Sequence, residues 1–445
     1  MTIHADFIKI LKEGCSQAFV NELPAEATPT IAFIDGQVKL MKAEYIMSWS
    51  IFLQVQFYKT IEKAFASGAH TVVLGFDDYR YVPEAKNMTQ IKRNKVVPVM
   101  EFDEYQSLPA VLPDNWSSAM RNRNFKVKVI QKVLHEVQKW FTNTQTNNVS
   151  WKHRTLVLDF CDTPTAYYNI TKSGNSVVKF INSQEPEFWV GRGECDIKAF
   201  TWALPDEHLL IISTDGDFVP MSLLQIHANK HMQISLFRIK IQGCQTQKSG
   251  KRKDPESAVK NTRREYEFVQ IIPLMRWLQT NIPSKNNTAI PQFCAMVAMC
   301  GCDFVMNLPR VGPRTMWKYR FKLQFLQLYE PQHVLCAINI IYFDMFVRKT
   351  GGPSLTPIGA QLMTDIDVET CLESYSQTHN RILNNNNVST VIRTAVWPKQ
   401  RVLAHGKNVF WTLQYWKLLQ KSDATHAKDY GYVKDKRQRT IFQYS

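Results

Sequence analysis

Apolar runs of strand length alternate with amphipathic segments through the first half of the chain. Segments 5–20 and 41–66 have helical periodicity. Four apolar runs predict buried strands: 30–34, 70–76, 208–214 and 232–239. Strands that alternate with helices are typical of an α/β fold with a mostly parallel sheet.

The pattern changes in the middle of the chain. Residues 121–141 predict a long amphipathic helix with Lys and Arg on one side, and 154–190 alternate as an inserted hairpin or additional strands would. The polar, basic segment 242–264 predicts a mobile loop, and the tail from 421 predicts disorder until its last residues. Between these two segments the pattern is mostly helical, with helices predicted over 266–280, 290–300 and 313–328.

Composition and charge narrow the class of protein. The 445 residues suffice for one large domain or two, and 54 Lys and Arg against 39 Asp and Glu favour a nucleic-acid partner. The nine cysteines are scattered without a CxxC pair, so we expect reduced thiols. The amino terminus does not resemble a signal peptide and no run is long enough for a membrane helix, so no membrane partner is expected.

Carboxylates stand where the predicted strands end, although the protein carries a net charge of +15. Asp35, Asp77 and Asp215 follow three apolar runs, and the carboxyl ends of parallel strands meet at one edge of a sheet. Acids spaced by two residues form two pairs, Glu194 with Asp196 and Asp215 with Asp217, and a further acid stands in "MCGCDF". Oxygen-rich clusters suit Mg²⁺ or Mn²⁺, and two such ions about 4 Å apart can promote hydrolysis of a phosphodiester.

The segment 301–319, "GCDFVMNLPRVGPRTMWKY", resembles the helix–two-turn–helix of the flap endonuclease family, the xeroderma-type 5′ nucleases. "IDG" near the amino terminus, the E-x-D pair and "STDGD" follow in that family's order, over about 1–330 with insertions around 155–190 and 242–264. The resemblance implies a PIN-like α/β core with a central, mostly parallel twisted sheet, a helical arch or cap and a helical C-terminal region. It also implies that seven acids bind two Mg²⁺ ions, with Mn²⁺ as a substitute: Asp35, Asp77, Glu194, Asp196, Asp215, Asp217 and Asp303.

By the same resemblance, segment 84–141 forms the arch and admits single-stranded 5′ ends. Lys86 and Arg93, seven residues apart on one helical face, would contact the scissile phosphate, with Lys92 and Lys95 as rivals for that role. Two arch aromatics, Trp116 and Phe125, either stack on bases or pack internally. Two departures from the family pattern are the Met-Thr-Ile start, in place of Met-Gly-Ile, and the absence of an aromatic residue between the first acid and Tyr45.

Two further segments predict nucleic-acid and protein contacts. The resemblance implies that the turn 309–313 holds duplex backbone with a monovalent cation, and the residues that would assist are Arg310, Gly312, Arg314, Lys318 and Arg320. The carboxyl-terminal "QRTIFQYS" loosely matches a sliding-clamp peptide, with Gln438, Ile441 and Tyr444 at its anchor positions. "KSGKRK" (248–253) is either a nuclear import signal, a DNA-tracking loop or a solvated loop.

Together with these patterns, the resemblance implies a metal-dependent, structure-specific 5′ nuclease that acts on branched, nicked or 5′-ended DNA in replication, recombination or repair. An endoribonuclease of the host-shutoff type on the same core and a non-catalytic scaffold for a clamp are alternatives. We expect a nuclear location, or a cytoplasmic site of viral replication. The predicted parts are the two core segments 1–100 and 191–330, the arch or cap with inserted strands 101–190, the helical region 331–425 and the flexible tail 426–445.

Overall fold

The structure is a computed structural model that describes most of the chain. The described residues are 3–41, 48–77, 100–103, 105–147, 154–160, 165–170, 176–181, 195–202, 207–241, 264–283, 288–302, 305, 307–323, 326, 328, 331–347, 368–386, 388–416, 432–434 and 440–442.

A single sheet of nine described strands organises the fold, in the order β1-β9-β8-β7-β2-β3-β4-β5-β6. The five central strands, from β8 to β4, are parallel, and the two strands at each edge pair antiparallel. This arrangement confirms the predicted α/β fold with a parallel central sheet. The strands are β1 Phe19–Val20, β2 Ile31–Asp35, β3 Thr71–Gly75, β4 Thr155–Asp159, β5 Thr165–Ile170, β6 Ser176–Ile181, β7 His208–Ile212, β8 Gln233–Ile241 and β9 Arg264–Gln270.

The order of the central strands reverses between β2 and β7. From β2 the chain advances to β3 and β4 on one side, and it later returns to place β7 on the other side of β2. In open α/β sheets, the crevice outside the carboxyl ends of two such strands is where ligands bind. The fold therefore singles out the residues that follow β2 and β7.

Helices cover both faces of the sheet. They are α1 Ile3–Gly14, α2 Gly36–Leu40, α3 Trp49–Leu53, α4 Lys59–Ala66, α5 Trp116–Ala119, α6 Arg123–Asn147, α7 Cys195–Thr201, α8 Phe218–Ala228, α9 Ile271–Asn281, α10 Ala289–Met299, α11 Pro313–Tyr319, α12 Pro331–Tyr342, α13 Val368–Asn384, α14 Thr390–Ala395 and α15 Lys399–Trp416. A π-helical turn, Gln54–Tyr58, joins α3 to α4. Within the described part of the chain, no helix combines the length and apolar character needed to cross a membrane.

The strand residues alternate between two hydrophobic cores. Ile31 and Phe33 of β2 pack into the core that includes α1, α8, α9 and α10, whereas Ala32 and Ile34 pack into the core that includes α3, α4 and α6. Successive side chains of a strand point to opposite faces, so an apolar run that is buried throughout needs helices on both sides. The two cores thus fix the strand ends firmly in place.

Several predicted helix boundaries are wrong. Residues 264–270, partly assigned to the predicted helix 266–280, form strand β9, which pairs with β8 and β1. The first helix ends at Gly14 rather than residue 20, and the helix predicted over 313–328 ends at Tyr319. For β9, and for β1 after the first helix, pairing with distant strands overrides local periodicity.

The two aromatics of the predicted arch are core residues. Trp116 is 2% exposed and Phe125 is fully buried, and their rings pack edge to face at 5.9 Å. The Trp116 Nε1–H donates to the Leu40 carbonyl oxygen at 2.6 Å. Base stacking by these two rings is therefore excluded, and the packing interpretation is correct.

Two other expectations differ from the structure. Part of the tail forms a hairpin, in which β10 (Tyr432–Lys434) pairs with β11 (Thr440–Phe442), although disorder was predicted there. Cys336 is disulfide-bonded, whereas reduced thiols were expected throughout. The predicted division of the chain into five parts stays a prediction.

Candidate active site

Asp35 ends β2 and begins α2, and both of its carboxylate oxygens are engaged. Oδ1 accepts a hydrogen bond from the Val38 N–H at 3.1 Å, and Oδ2 accepts one from the Ser213 hydroxyl at 2.7 Å. The side chain is 2% exposed. Burial raises the pKa of the Asp35 carboxyl and the charge of Asp77 raises it further, although hydrogen bonds from Ser213, Val38 and the Cys195 side chain oppose this shift.

Ser213 joins the two strands on either side of the crevice. Its hydroxyl donates to Asp35 and accepts a hydrogen bond from the Asp215 N–H at 3.0 Å. Asp215 Oδ1 in turn accepts from the Asp217 N–H at 3.1 Å, immediately before α8. The carboxylates that follow β2 and β7 thus belong to one hydrogen-bonded chain.

Asp77 and Asp196 approach the same edge from β3 and α7. Asp77 Oδ1 accepts a hydrogen bond from the Cys195 N–H at 2.9 Å, and the Cys195 thiol donates to the Gly75 carbonyl oxygen at 3.3 Å. Burial raises the pKa of the Cys195 thiol well above its usual value, and the charges of Asp35, Asp77 and Asp196 raise it further. Three of the predicted acids therefore lie close enough to the Cys195 thiol to raise its pKa.

A buried ion pair that we did not single out from the sequence supports this edge. Lys198 Nζ lies 3.1 Å from Asp159 Oδ1 and donates to the Phe76 carbonyl oxygen at 2.7 Å, while Trp202 Nε1–H donates to Asp159 Oδ2 at 2.8 Å. The Lys198 and Asp159 side chains are 1% and 0% exposed. The contacts tie α7 to β4 and to the residue before Asp77. Asp159 ends an apolar run as Asp35 does, and that signal could have identified it.

The donor chemistry of this edge fits a hard divalent cation. Carboxylate oxygens predominate, and burial together with mutual repulsion makes the empty cluster unfavourable, which a bound cation would relieve. Among the residues that the structure describes, no group of three or more His, Cys, Asp or Glu is placed to hold one ion. Two of the seven predicted acids, Glu194 and Asp303, lie outside those residues. The complete ligand set stays a prediction.

The predicted basic residues of the arch cannot be located. Lys86, Lys92, Arg93 and Lys95 all lie outside the described residues, as does the segment 78–99 that contains them. Their contact with the scissile phosphate stays a prediction.

The helix–two-turn–helix segment links α10 to α11. Gly301 has φ of 110°, and a Cβ there would collide with the Asn307 side chain, so this position requires glycine. Arg310 also adopts a left-handed conformation, with φ of 62°. Gly312 has φ of −96° and open space around it, so neither its backbone nor its packing requires glycine.

Exposed cations follow one another along this segment. Arg310, Arg314 and Lys318 are all exposed and are spaced by four residues, which suits one side of the turn and of α11. Arg314 also pairs with the exposed Glu13 at 3.3 Å. Arg320 instead lies over the Trp317 ring at 4.4 Å and donates to backbone carbonyls, so it has a structural role. The monovalent cation predicted at this turn stays a prediction.

The predicted clamp peptide is only partly described. Ile441 lies in β11 and pairs with Val433 of β10, whereas Gln438 and Tyr444 lie outside the described residues. Clamp binding by this peptide stays a prediction.

Comparison with known proteins adds little to this geometry. No protein-family model matches the chain, and no curated protein is similar to it. Among solved structures, it is similar to the catalytic core of Rad2 in complex with DNA substrate, at 12% identity and a TM-score of 0.37, over 94% of this chain and 97% of that one. At this identity and TM-score, the likeness assigns neither fold nor activity.

Proposed function

We propose that this protein is a divalent-metal-dependent, structure-specific nuclease that hydrolyses phosphodiester bonds in branched, nicked or 5′-ended DNA. The observation that carries the proposal is the hydrogen-bonded chain that links Asp35 through Ser213 to Asp215 and Asp217, at the crevice where the strand order reverses. Burial and mutual repulsion make such a cluster costly unless it holds metal ions, and the net charge of +15 suits a polyanionic substrate.

In this proposal the chain's own residues hold and orient the reacting groups. Asp35, Asp77, Asp196, Asp215 and Asp217, with Glu194 and Asp303, would hold two Mg²⁺ or Mn²⁺ ions, which would supply Lewis-acid activation of water and of the scissile phosphate. Ser213 fixes the rotamer of Asp35 through its 2.7 Å hydrogen bond. The buried ion pair beneath α7 keeps that helix in register with β4.

The substrate is held by positive charge outside the acidic edge. An exposed row of cations can contact duplex backbone; it consists of Arg310, Arg314 and Lys318. Such phosphate contacts position the duplex without reading its sequence. Lys86 and Arg93 would contact the scissile phosphate. A role in DNA replication, recombination or repair, a nuclear location and an interaction of the tail with a sliding clamp complete the proposal.

Cleavage of end-labelled substrates tests it. A 5′-flap DNA, a nicked duplex and a single-stranded RNA are incubated with Mg²⁺ or with EDTA, for the wild type and for Asp215→Asn/Asp217→Asn. We expect Mg²⁺-dependent cutting near the flap junction that the double variant lacks. Glu22→Gln/Glu26→Gln removes two exposed carboxylates before β2, at the opposite edge of the sheet, and should cut as the wild type does.

The other outcomes separate the alternatives. Cutting of RNA without cutting of either DNA would favour the endoribonuclease. No cutting of any substrate, by a protein that remains folded, would favour the non-catalytic scaffold.

A further inference from the structure

Lysines and aromatic rings alternate along the outer side of α6 and the helices beside it. Lys128 Nζ lies 5.9 Å from the centre of the Phe102 ring, and Lys132 Nζ lies 5.4 Å from that of Trp49. Further along, the Tyr58 and Trp140 rings stack at 4.5 Å and 6°. We call the surface formed by Trp49, Tyr58, Phe102, Lys128, Lys132, Lys139 and Trp140 the lysine–aromatic face; six of these side chains are half-buried and Lys139 is exposed.

The three lysines project from one side of a single helix. Positions 128, 132 and 139 are separated by four and seven residues, so they share one face and span about 16 Å along the axis. Between 121 and 140 the chain carries six Lys and Arg against one acid, Glu136. Burial and the charge of Glu136 raise the pKa of the Tyr58 hydroxyl, which places that acid at the Tyr58 end of the face. Within α6, the Lys128–Lys132 end is therefore the more strongly positive.

That positive end lies at the acidic edge of the sheet. α5, which directly precedes α6, hydrogen-bonds through Trp116 to Leu40, just beyond the carboxyl end of β2. The other end of α6 reaches the amino edge, because Phe141 stacks on Phe65 at the end of α4. A strand that leaves the candidate active site thus has a basic path down this side of the molecule.

A cavity of about 580 Å³ opens beside the positive end. Its walls are apolar where Met100, Phe102, Pro109 and Leu112 line it, and Glu101 and Asp114 also line it. Lys128 binds the Gln106 carbonyl oxygen and Trp49 Nε1–H donates to that of Pro109 at 2.9 Å, so the cavity is anchored to the face. The two carboxylates repel phosphate, whereas the apolar walls and the Phe102 ring suit a flat base.

We propose that the lysine–aromatic face binds an unpaired nucleic-acid strand, with its phosphates along Lys128, Lys132 and Lys139 and one base in the cavity. The inference rests on the proposed function only in naming nucleic acid as the partner. An unpaired strand fits better than a duplex, because only unstacked bases can reach rings and a cavity while their backbone follows the lysines.

Binding in EDTA tests this without any need for hydrolysis. The probes are a fluorescein-labelled 12-nucleotide oligo(dA), its RNA counterpart and a blunt DNA duplex of equal length. Lys128→Gln/Lys132→Gln/Lys139→Gln should weaken single-strand binding at least tenfold and change duplex binding less than twofold. The slope of log K against log salt for the single strand should fall by about 2, since each phosphate contact contributes about 0.7.

Two matched variants control for charge and for folding. Lys230→Gln/Lys399→Gln/Lys407→Gln removes the same charge elsewhere on the molecule and should leave single-strand affinity within twofold of the wild type. Arginine at the three positions of the face should preserve binding. Equal losses in both glutamine variants, or equal losses for single strand and duplex, would refute the face as a single-strand site.

An abasic nucleotide, moved along the oligonucleotide, tests the cavity. We expect one position to cost about fivefold in affinity and its neighbours much less; a uniform small effect would refute base insertion. If the chain binds single strands through this face but cuts nothing, the proposed function fails and this inference stands. If it cuts flaps and the lysine variant binds normally, the reverse holds.

Discussion

Substitution of Lys198 in its buried ion pair with Asp159 should cause a large loss of stability, and the effects of substituting the two residues should be strongly coupled. Lys198→Met would leave Asp159, which is 0% exposed, with the Trp202 N–H but no countercharge, and the Phe76 carbonyl without its donor at 2.7 Å. Breaking a buried pair from one side typically costs about 3–5 kcal/mol, because an uncompensated charge stays in the protein interior. We expect a loss of about 4 kcal/mol in the free energy of unfolding.

The double variant separates charge from packing. In Lys198→Met/Asp159→Asn no buried charge is left, and the asparagine oxygen can still accept from Trp202. The remaining cost is that of one unsatisfied carbonyl, about 1–3 kcal/mol. The double variant should therefore be more stable than Lys198→Met alone, with a coupling energy well above that of independent sites.

Urea unfolding of the wild type, Lys198→Met, Asp159→Asn and the double variant measures this cycle. Lys322→Met is the matched control, because its 3.0 Å ion pair with Asp344 leaves the lysine side chain 49% exposed, and pairs of that kind contribute about 1 kcal/mol or less. Additive effects of the two single substitutions, or a loss from Lys198→Met no larger than that of the control, would refute the reasoning.

Other predictions concern pH, the crevice and the helix–two-turn–helix. Burial lowers the pKa of His405 to about 3 and that of His208 to about 4. Below pH 6.5 the unfolded chain therefore binds more protons than the folded protein does, and the free energy of unfolding decreases as the pH is lowered. From pH 7.5 to 5.5 the two together should cost about 3 kcal/mol in urea unfolding, and a flat profile would contradict this. Ser213→Ala removes the hydroxyl that bridges the two sides of the crevice and leaves Asp35 Oδ2 without its donor, so it should lower the rate of flap cleavage about tenfold and cost about 1–3 kcal/mol in the free energy of unfolding. Gly301→Ala should cost about 1–3 kcal/mol in the same unfolding assay, whereas Gly312→Ala should be nearly neutral, and equal losses would refute the conformational argument.

Local patterns predicted the central strands well because burial on both faces leaves a continuous apolar run. Runs 30–34 and 70–76 correspond to β2 and β3 within one or two residues. Strand β9 was missed, because its alternation of charged and apolar residues runs directly into α9 and its partners β8 and β1 are set by the fold. Strand identity at a sheet edge depends on such distant partners.

The candidate site was predictable only in part, for a similar reason. The ends of the apolar runs indicated Asp35 and Asp77, because hydrophobic packing does not explain an acid at that position. Lys198 gave no such signal, because its partner Asp159 lies 39 residues earlier and only the fold reveals that both are buried. Whether Trp116 faced a base or the core likewise depended on α2, which contacts it across 76 residues.

The reversal of strand order between β2 and β7 has a consequence during protein synthesis. Ser213 lies 178 residues after Asp35, so a ribosome working at about 5–20 residues per second needs about 10–35 s to pass from one to the other. Until β7 has been made, the nascent chain carries Asp35 and Asp77 without the strand that completes their crevice. The crevice on which the proposed activity depends is thus assembled only after β7 has been synthesised.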